Sequence, residues 1–207
     1  MPQPTQVLAS RFRRALLYVV EALGEVSVTK LQKILYLTDL EHFNATGTTL
    51  TGARWVRYTY GPMAKALVPS TNEMDGHEIT VSVEQAGPYE TKLYRPGPAP
   101  RFRPALSSEE RSTLDAMIAL TRSLSANEAI GLAYNTGPMR FLLRIEASSG
   151  SIMLDAEIPF EVDDVDLAAA ASPSELPDPE RRAAFKREEL ARTRDLRERG
   201  MAAASPD

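Results

Sequence analysis

The stretch from Lys30 to Leu67, KLQKILYLTDLEHFNATGTTLTGARWVRYTYGPMAKAL, constrains the fold more than any other part of the chain. Leu31, Ile34, Leu35, Leu37 and Leu40 recur at the spacing of one helix face. Ser27 can accept hydrogen bonds from the first free N–H groups, and Gly47 can take the left-handed conformation that ends a helix. A helix over about 28–46 is therefore expected. The next residues, Arg54-Trp55-Val56-Arg57-Tyr58-Thr59-Tyr60, have the composition of a strand and halt at Gly61-Pro62.

Taken together, Lys30-Leu31-Gln32-Lys33-Ile34-Leu35-Tyr36, then Trp55, then Tyr60-Gly61-Pro62-Met63 closely resemble the core motif of the Panacea domain. This is the SocA-type antitoxin domain of bacterial toxin–antitoxin systems. The resemblance covers roughly residues 10–70 and extends more loosely over about 107–160. It departs where the family often has a His before a Pro-Trp pair. Here the sequence reads Tyr134-Asn135-Thr136-Gly137-Pro138-Met139, so a role tied to that His does not transfer.

A chain of 207 residues with 43% hydrophobic side chains can bury a sizeable core, and its length fits one domain with a tail or two very small domains. With no cysteine it has neither a disulfide framework nor thiolate chemistry. The start, Met1-Pro2-Gln3-Pro4-Thr5, lacks a charged region followed by an apolar run, and no apolar run approaches the ~20 residues that span a bilayer. The expectation is a soluble cytoplasmic protein with no membrane partner. Residues 161–207 carry 12 acidic and 8 basic side chains, which leaves 16 of each sign in the first 160. Phosphate-backbone binding depends on clustered cations, so a neutral body with an acidic tail argues against nucleic acid as a partner.

Arg11–Leu23 reads as a first helix with Phe12, Leu16, Val19, Val20 and Leu23 on one face. Proline is tolerated in a first helical turn, so Pro62 is expected to open a short third helix that buries Met63, Ala66 and Leu67 and ends at Pro69. Ile79, Val81 and Val83 alternate with polar residues as in a half-buried strand, and 90–95 returns after the Ala86-Gly87-Pro88 turn. Pro96, Pro98, Pro100 and Pro104 mark an extended linker. Two capping boxes, Ser107 to Glu110 and Ser125 to Glu128, each open a helix. Pro138 to Ile145 reads as another short helix, and 150–160 as an extended or irregular close. Beyond about 161 an acidic Ala/Pro-rich stretch precedes the Arg/Glu-dense 179–199, whose large apolar residues are only Phe185, Leu190 and Leu196.

The sequence offers little to catalysis. Asp39 and His42 share a helix face, but no Cys or second His pair completes a zinc site. Ser107 and Ser125 are explained as caps, and no Gly-x-Ser-x-Gly elbow or glycine-rich phosphate loop occurs. No catalytic residue, metal ligand or cofactor is assigned, and a non-enzyme is expected. Arg11, Arg13 and Arg14 read as the solvated face of the first helix. The aromatic strand admits two readings: a core strand packed between the helices and the 77–95 hairpin, or a partner surface, since Trp, Tyr and Arg dominate hot spots at protein interfaces. An isolated strand places Trp55, Arg57 and Thr59 on one side and Val56, Tyr58 and Tyr60 on the other.

The expected fold is mainly α (α+β): a compact helical domain over 1–160, a small antiparallel β element made of the aromatic strand and the 77–95 hairpin, and a C-terminal tail over 161–207. The resemblance implies an antitoxin that neutralises a cognate protein toxin by direct binding, with some family members delivering the toxin to an ATP-dependent protease. The toxin-binding residues expected on this basis are Trp55, Arg57, Tyr58 and Tyr60, with Gly61 and Pro62 shaping the turn. Two other readings stand beside it. One is a DNA-binding regulator of winged-helix type, against which the mixed Lys30, Lys33, Asp39 and Glu41 of the motif helix argue. The other is a phage-associated or structural interaction protein that kept the domain without a toxin.

Overall fold

The computed structural model describes residues 4–86, 89–98 and 105–162, with side chains from Arg11 onward. Helix α1 spans Pro4–Leu23, and a two-residue strand β1 (Val26–Ser27) leads into α2 (Val28–Thr46). The caps of α2 are those expected: the Ser27 side chain accepts from Lys30 N, and Gly47 ends the helix at φ 73° with its N–H on the Phe43 carbonyl. Strands β2 (Trp55–Tyr58) and β3 (Gly61–Ala64) follow, then α3 (Leu67–Met74) and the long hairpin β4 (Ile79–Ala86) and β5 (Tyr89–Pro96). The described fold closes with α4 (Ser108–Thr121), α5 (Ala126–Tyr134) and α6 (Gly137–Ser149). Both capping boxes form, at Ser107/Glu110 and Ser125/Glu128.

Helix α2 is the centre of the domain. Its residues 33–39 are buried without a break, polar ones included, because α1, α4, α5 and strand β3 pack around it. One-face periodicity understates such a helix; all-round burial is the mark of a central one. Phe12, Leu16 and Val20 of α1, Leu114 and Ile118 of α4, and Ile130 of α5 complete the apolar core around Leu31, Ile34 and Leu35.

Three sequence expectations need correction. Pro62 opens no helix: it lies in β3 opposite Arg57, and β2–β3 form a two-stranded hairpin turning at Thr59-Tyr60. Helix α3 begins at Leu67, and Pro69 sits in its first turn, where a missing N–H costs nothing. The aromatic strand also does not join the 77–95 hairpin. That hairpin forms a separate sheet in the order β1-β5-β4, while β2 and β3 make their own. The arginines of α1 are half-buried staples rather than a purely solvated face. Arg11 donates to the Thr49 carbonyl at 2.8 Å, Arg14 to the Ala105 carbonyl at 2.8 Å, and Arg13 pairs with Glu73. The expected 161–207 tail lies, past Val162, outside the described residues.

Candidate functional site

The motif residues meet where the β2–β3 hairpin lies on α2, and the polar groups of Lys33 and Trp55 hold it there. Lys33, 3% exposed, donates from Nζ to the Pro62 carbonyl at 2.7 Å. Burial, with the Arg57 charge nearby, pulls its ammonium down to about 7. One turn and a half further along, the fully buried Asp39 carboxylate accepts from Thr51 N at 2.7 Å, from Trp55 Nε1 at 2.7 Å and from the Thr51 hydroxyl. Burial raises the Asp39 carboxyl, and these donors act against the rise. Tyr36 stacks edge-on against Trp55, with ring centroids 5.5 Å apart, and its hydroxyl hydrogen-bonds Thr136 Oγ1 at 2.9 Å.

The far side of the hairpin is held by the C-terminal helices. Arg57 Nε donates to Glu146 Oε1 at 3.1 Å, its guanidinium lies 5.3 Å from the Tyr134 ring centre, and it also reaches the Tyr58 carbonyl. Glu146 Oε1 in turn accepts from Met153 N at 3.1 Å. This links α6 to the closing segment, which runs back along β2 as an added edge. Arg57 N donates to the Ala156 carbonyl, Asp155 N to the Arg57 carbonyl and Ile158 N to the Trp55 carbonyl, at 2.8–2.9 Å. Gly61 is required twice over. Its φ is 87°, and a Cβ there would stand 3.2 Å from the Tyr134 ring.

Of the residues expected to bind toxin, Trp55 (2% exposed) and Arg57 (3%) are core, and Gly61 and Pro62 are buried beneath the turn. Tyr58 and Tyr60 are half-buried at its rim. Arg57, expected among the toxin-binding residues, is buried instead, with a carboxylate and a ring placed to receive it. Sequence reasoning missed Lys33, Asp39, Tyr134 and Glu146. Lys33 and Asp39 carry a faint signal, as charges inside an otherwise buried helical period; Glu146 carries none. His42 makes a structural contact, its Nδ1 2.7 Å from the Thr48 carbonyl, which can only accept, so Nδ1 bears the proton. Among the described residues no group of three or more His, Cys, Asp or Glu is placed to hold a metal ion. Lys30 is engaged too, donating to the Arg122 carbonyl at 2.9 Å.

Beside the hairpin an open groove of about 670 Å³ runs between the end of α2, helix α6 and residues 153–161. Phe43, Phe141 and Trp55 are among the residues of its wall. Phe160 packs edge-on against both Phe43 and Tyr36, with centroids 5.6 and 5.7 Å apart, so the groove is continuous with the motif's ring stack.

These features define an α+β domain whose signature residues lock an aromatic hairpin onto a central helix. Residues 31–138, more than half of the chain, match the family described as antitoxin SocA-like, Panacea domain. The chain belongs to that family, which places it on the antitoxin side of toxin–antitoxin systems. No curated protein and no solved structure matches it. Among the described residues no helix is long and apolar enough to cross a membrane.

Proposed function

We propose that this protein neutralises a cognate protein toxin by binding it directly, without catalysis and without a cofactor, and that the surface around the β2–β3 hairpin covers a functional site on the toxin. The observation that carries this reading is the anchoring of the aromatic hairpin, which bears part of the family motif. Lys33, Asp39, Trp55 and Arg57 are committed to one rigid hairpin, which presents Tyr58 and Tyr60 at its rim. Pre-organised aromatic rims lower the ordering cost of association, and Tyr is enriched among binding hot spots. The buried motif residues act as positioning groups, and the rim tyrosines are the contact residues. Delivery of the bound toxin to an ATP-dependent protease is a compatible later step of the same reading.

The test is co-expression with the product of an adjacent open reading frame that is toxic alone. The protein is expected to restore growth and to co-purify with that product as a stable complex. Rescue without a complex would overturn direct binding. Sequence-specific duplex binding in the nanomolar range at physiological salt would put the DNA-binding regulator in its place.

A further inference from the structure

The groove beside the hairpin has the dimensions and chemistry of a docking site, and the motif leaves it unfilled. Phe43, Phe141, Ile145, Met153 and Phe160 are all half-exposed around it, on three different elements. Its volume of about 670 Å³ lies within the ~300–1,000 Å³ typical of binding clefts. The charge at the groove has one sign. The only charged residues lining it are Glu157 and Glu161; Arg54 pairs with Glu157 at 2.8 Å, leaving Glu161 at the end.

We infer that this groove takes a segment of the toxin carrying apolar side chains beside lysine or arginine. The inference rests on the antitoxin reading above and makes it more specific. The apolar walls supply the affinity by desolvation, and the carboxylate end selects a cationic flank and excludes an acidic one. Trp55 is the only tryptophan of the chain and lies in the groove wall, so occupation is expected to alter its emission.

The experiment uses the full-length protein, Ile145→Lys and Glu161→Lys, with melting temperatures recorded for each. Glu161 is exposed, so its reversal leaves folding unchanged even where Ile145→Lys costs stability. A short synthetic peptide of leucines and lysines, and its leucine–glutamate counterpart, are titrated against Trp55 emission. The cationic peptide should bind saturably and the acidic one should not. Ile145→Lys should weaken binding about thirtyfold, the loss typical of a hot-spot anchor, and Glu161→Lys severalfold. Equal binding of both peptides, or unchanged binding by both variants, overturns the assigned chemistry. A self-association that Ile145→Lys abolishes overturns it as well, by giving the groove to a second copy of the chain.

The toxic product of the adjacent reading frame is then added. Competition by the cationic peptide supports the inference. Wild-type affinity for that product in both variants overturns the groove while leaving the antitoxin reading intact. Peptide binding without any binding of that product overturns the antitoxin reading, and with it the toxin as occupant.

Discussion

Asp39 and Trp55, sixteen residues apart, are joined by a 2.7 Å hydrogen bond from the indole N–H to a carboxylate that no solvent reaches. The same carboxylate takes the backbone N–H and the hydroxyl of Thr51, so three buried donors depend on one side chain. Asp39→Ala orphans all of them. Removing one partner of a buried charged network costs about 3–5 kcal/mol, and thermal melting should show that loss. A melting temperature within a degree or two of wild type would contradict the account.

Lys33 sets a pH dependence of the opposite kind from an ordinary surface lysine. Its folded value is about 7 against 10.5 for the unfolded chain, so between these values the unfolded state holds more protons. Stability contributed by this group is present above the unfolded value and is lost as pH falls through the folded one. Unfolding free energies from denaturant titration should therefore rise from pH 7 toward pH 9, by about 2 kcal/mol. Lys33→Met should flatten the rise. Parallel profiles for the two proteins would show that Lys33 is not the titrating group.

Arg57→Glu should unfold the hairpin rather than merely repel a partner. The new carboxylate would face Glu146 in a site where Arg57 is 3% exposed, and uncompensated buried charge costs about 3–5 kcal/mol. Restoring the pair in reverse order with Glu146→Arg should recover part of the stability. No recovery in the double variant would mean that the Tyr134 contact, not the ion pair, dominates.

Gly61→Ala meets two obstacles, a φ of 87° and the Tyr134 ring 3.2 Å away. Positive φ alone costs an alanine about 1 kcal/mol, and the ring must also yield. A companion Tyr134→Leu removes the ring edge, so the penalty of Gly61→Ala should shrink in that background. Strict additivity of the two changes would show that the ring is not the obstacle.

Tyr60→Ala separates binding from folding. The ring is only half-buried, so the melt should fall far less than for Trp55→Ala, which removes a core ring at about 3–5 kcal/mol. Rescue from the toxin should nonetheless fail, with affinity reduced about thirtyfold. Full rescue by stably folded Tyr58→Ala and Tyr60→Ala variants would move the contact surface away from the hairpin rim.

What was legible in the sequence is what neighbouring residues settle among themselves. Ser27 and Gly47 bound α2, Ser107 and Ser125 open α4 and α5, and alternation marks the 79–96 hairpin, because caps and strand periods are local devices. Pro62 was misread because a proline suits a first helical turn and an edge of a hairpin equally well. Only its pairing with Arg57 decides between them. Core and surface readings of Trp55 and Arg57 are separated only by Asp39 and Glu146, and those partners lie 16 and 89 residues away. The motif residues were visible as a set, whereas their commitment to the interior was not, since composition does not reveal which face of a strand meets which helix.

The closing edge on β2 has a temporal consequence. Val56 faces Glu157 across a ladder that spans about half the chain, and Glu146 must be in place to hold both Arg57 and Met153. During synthesis the hairpin therefore emerges long before its outer neighbour exists, and such long-range closures are the slow events of folding. A nascent chain paused before residue 146 would display Trp55 and the β2 edge uncovered, a species prone to mispairing and open to degradation. The proposed binding surface is finished by nearly the last piece of the domain to leave the ribosome.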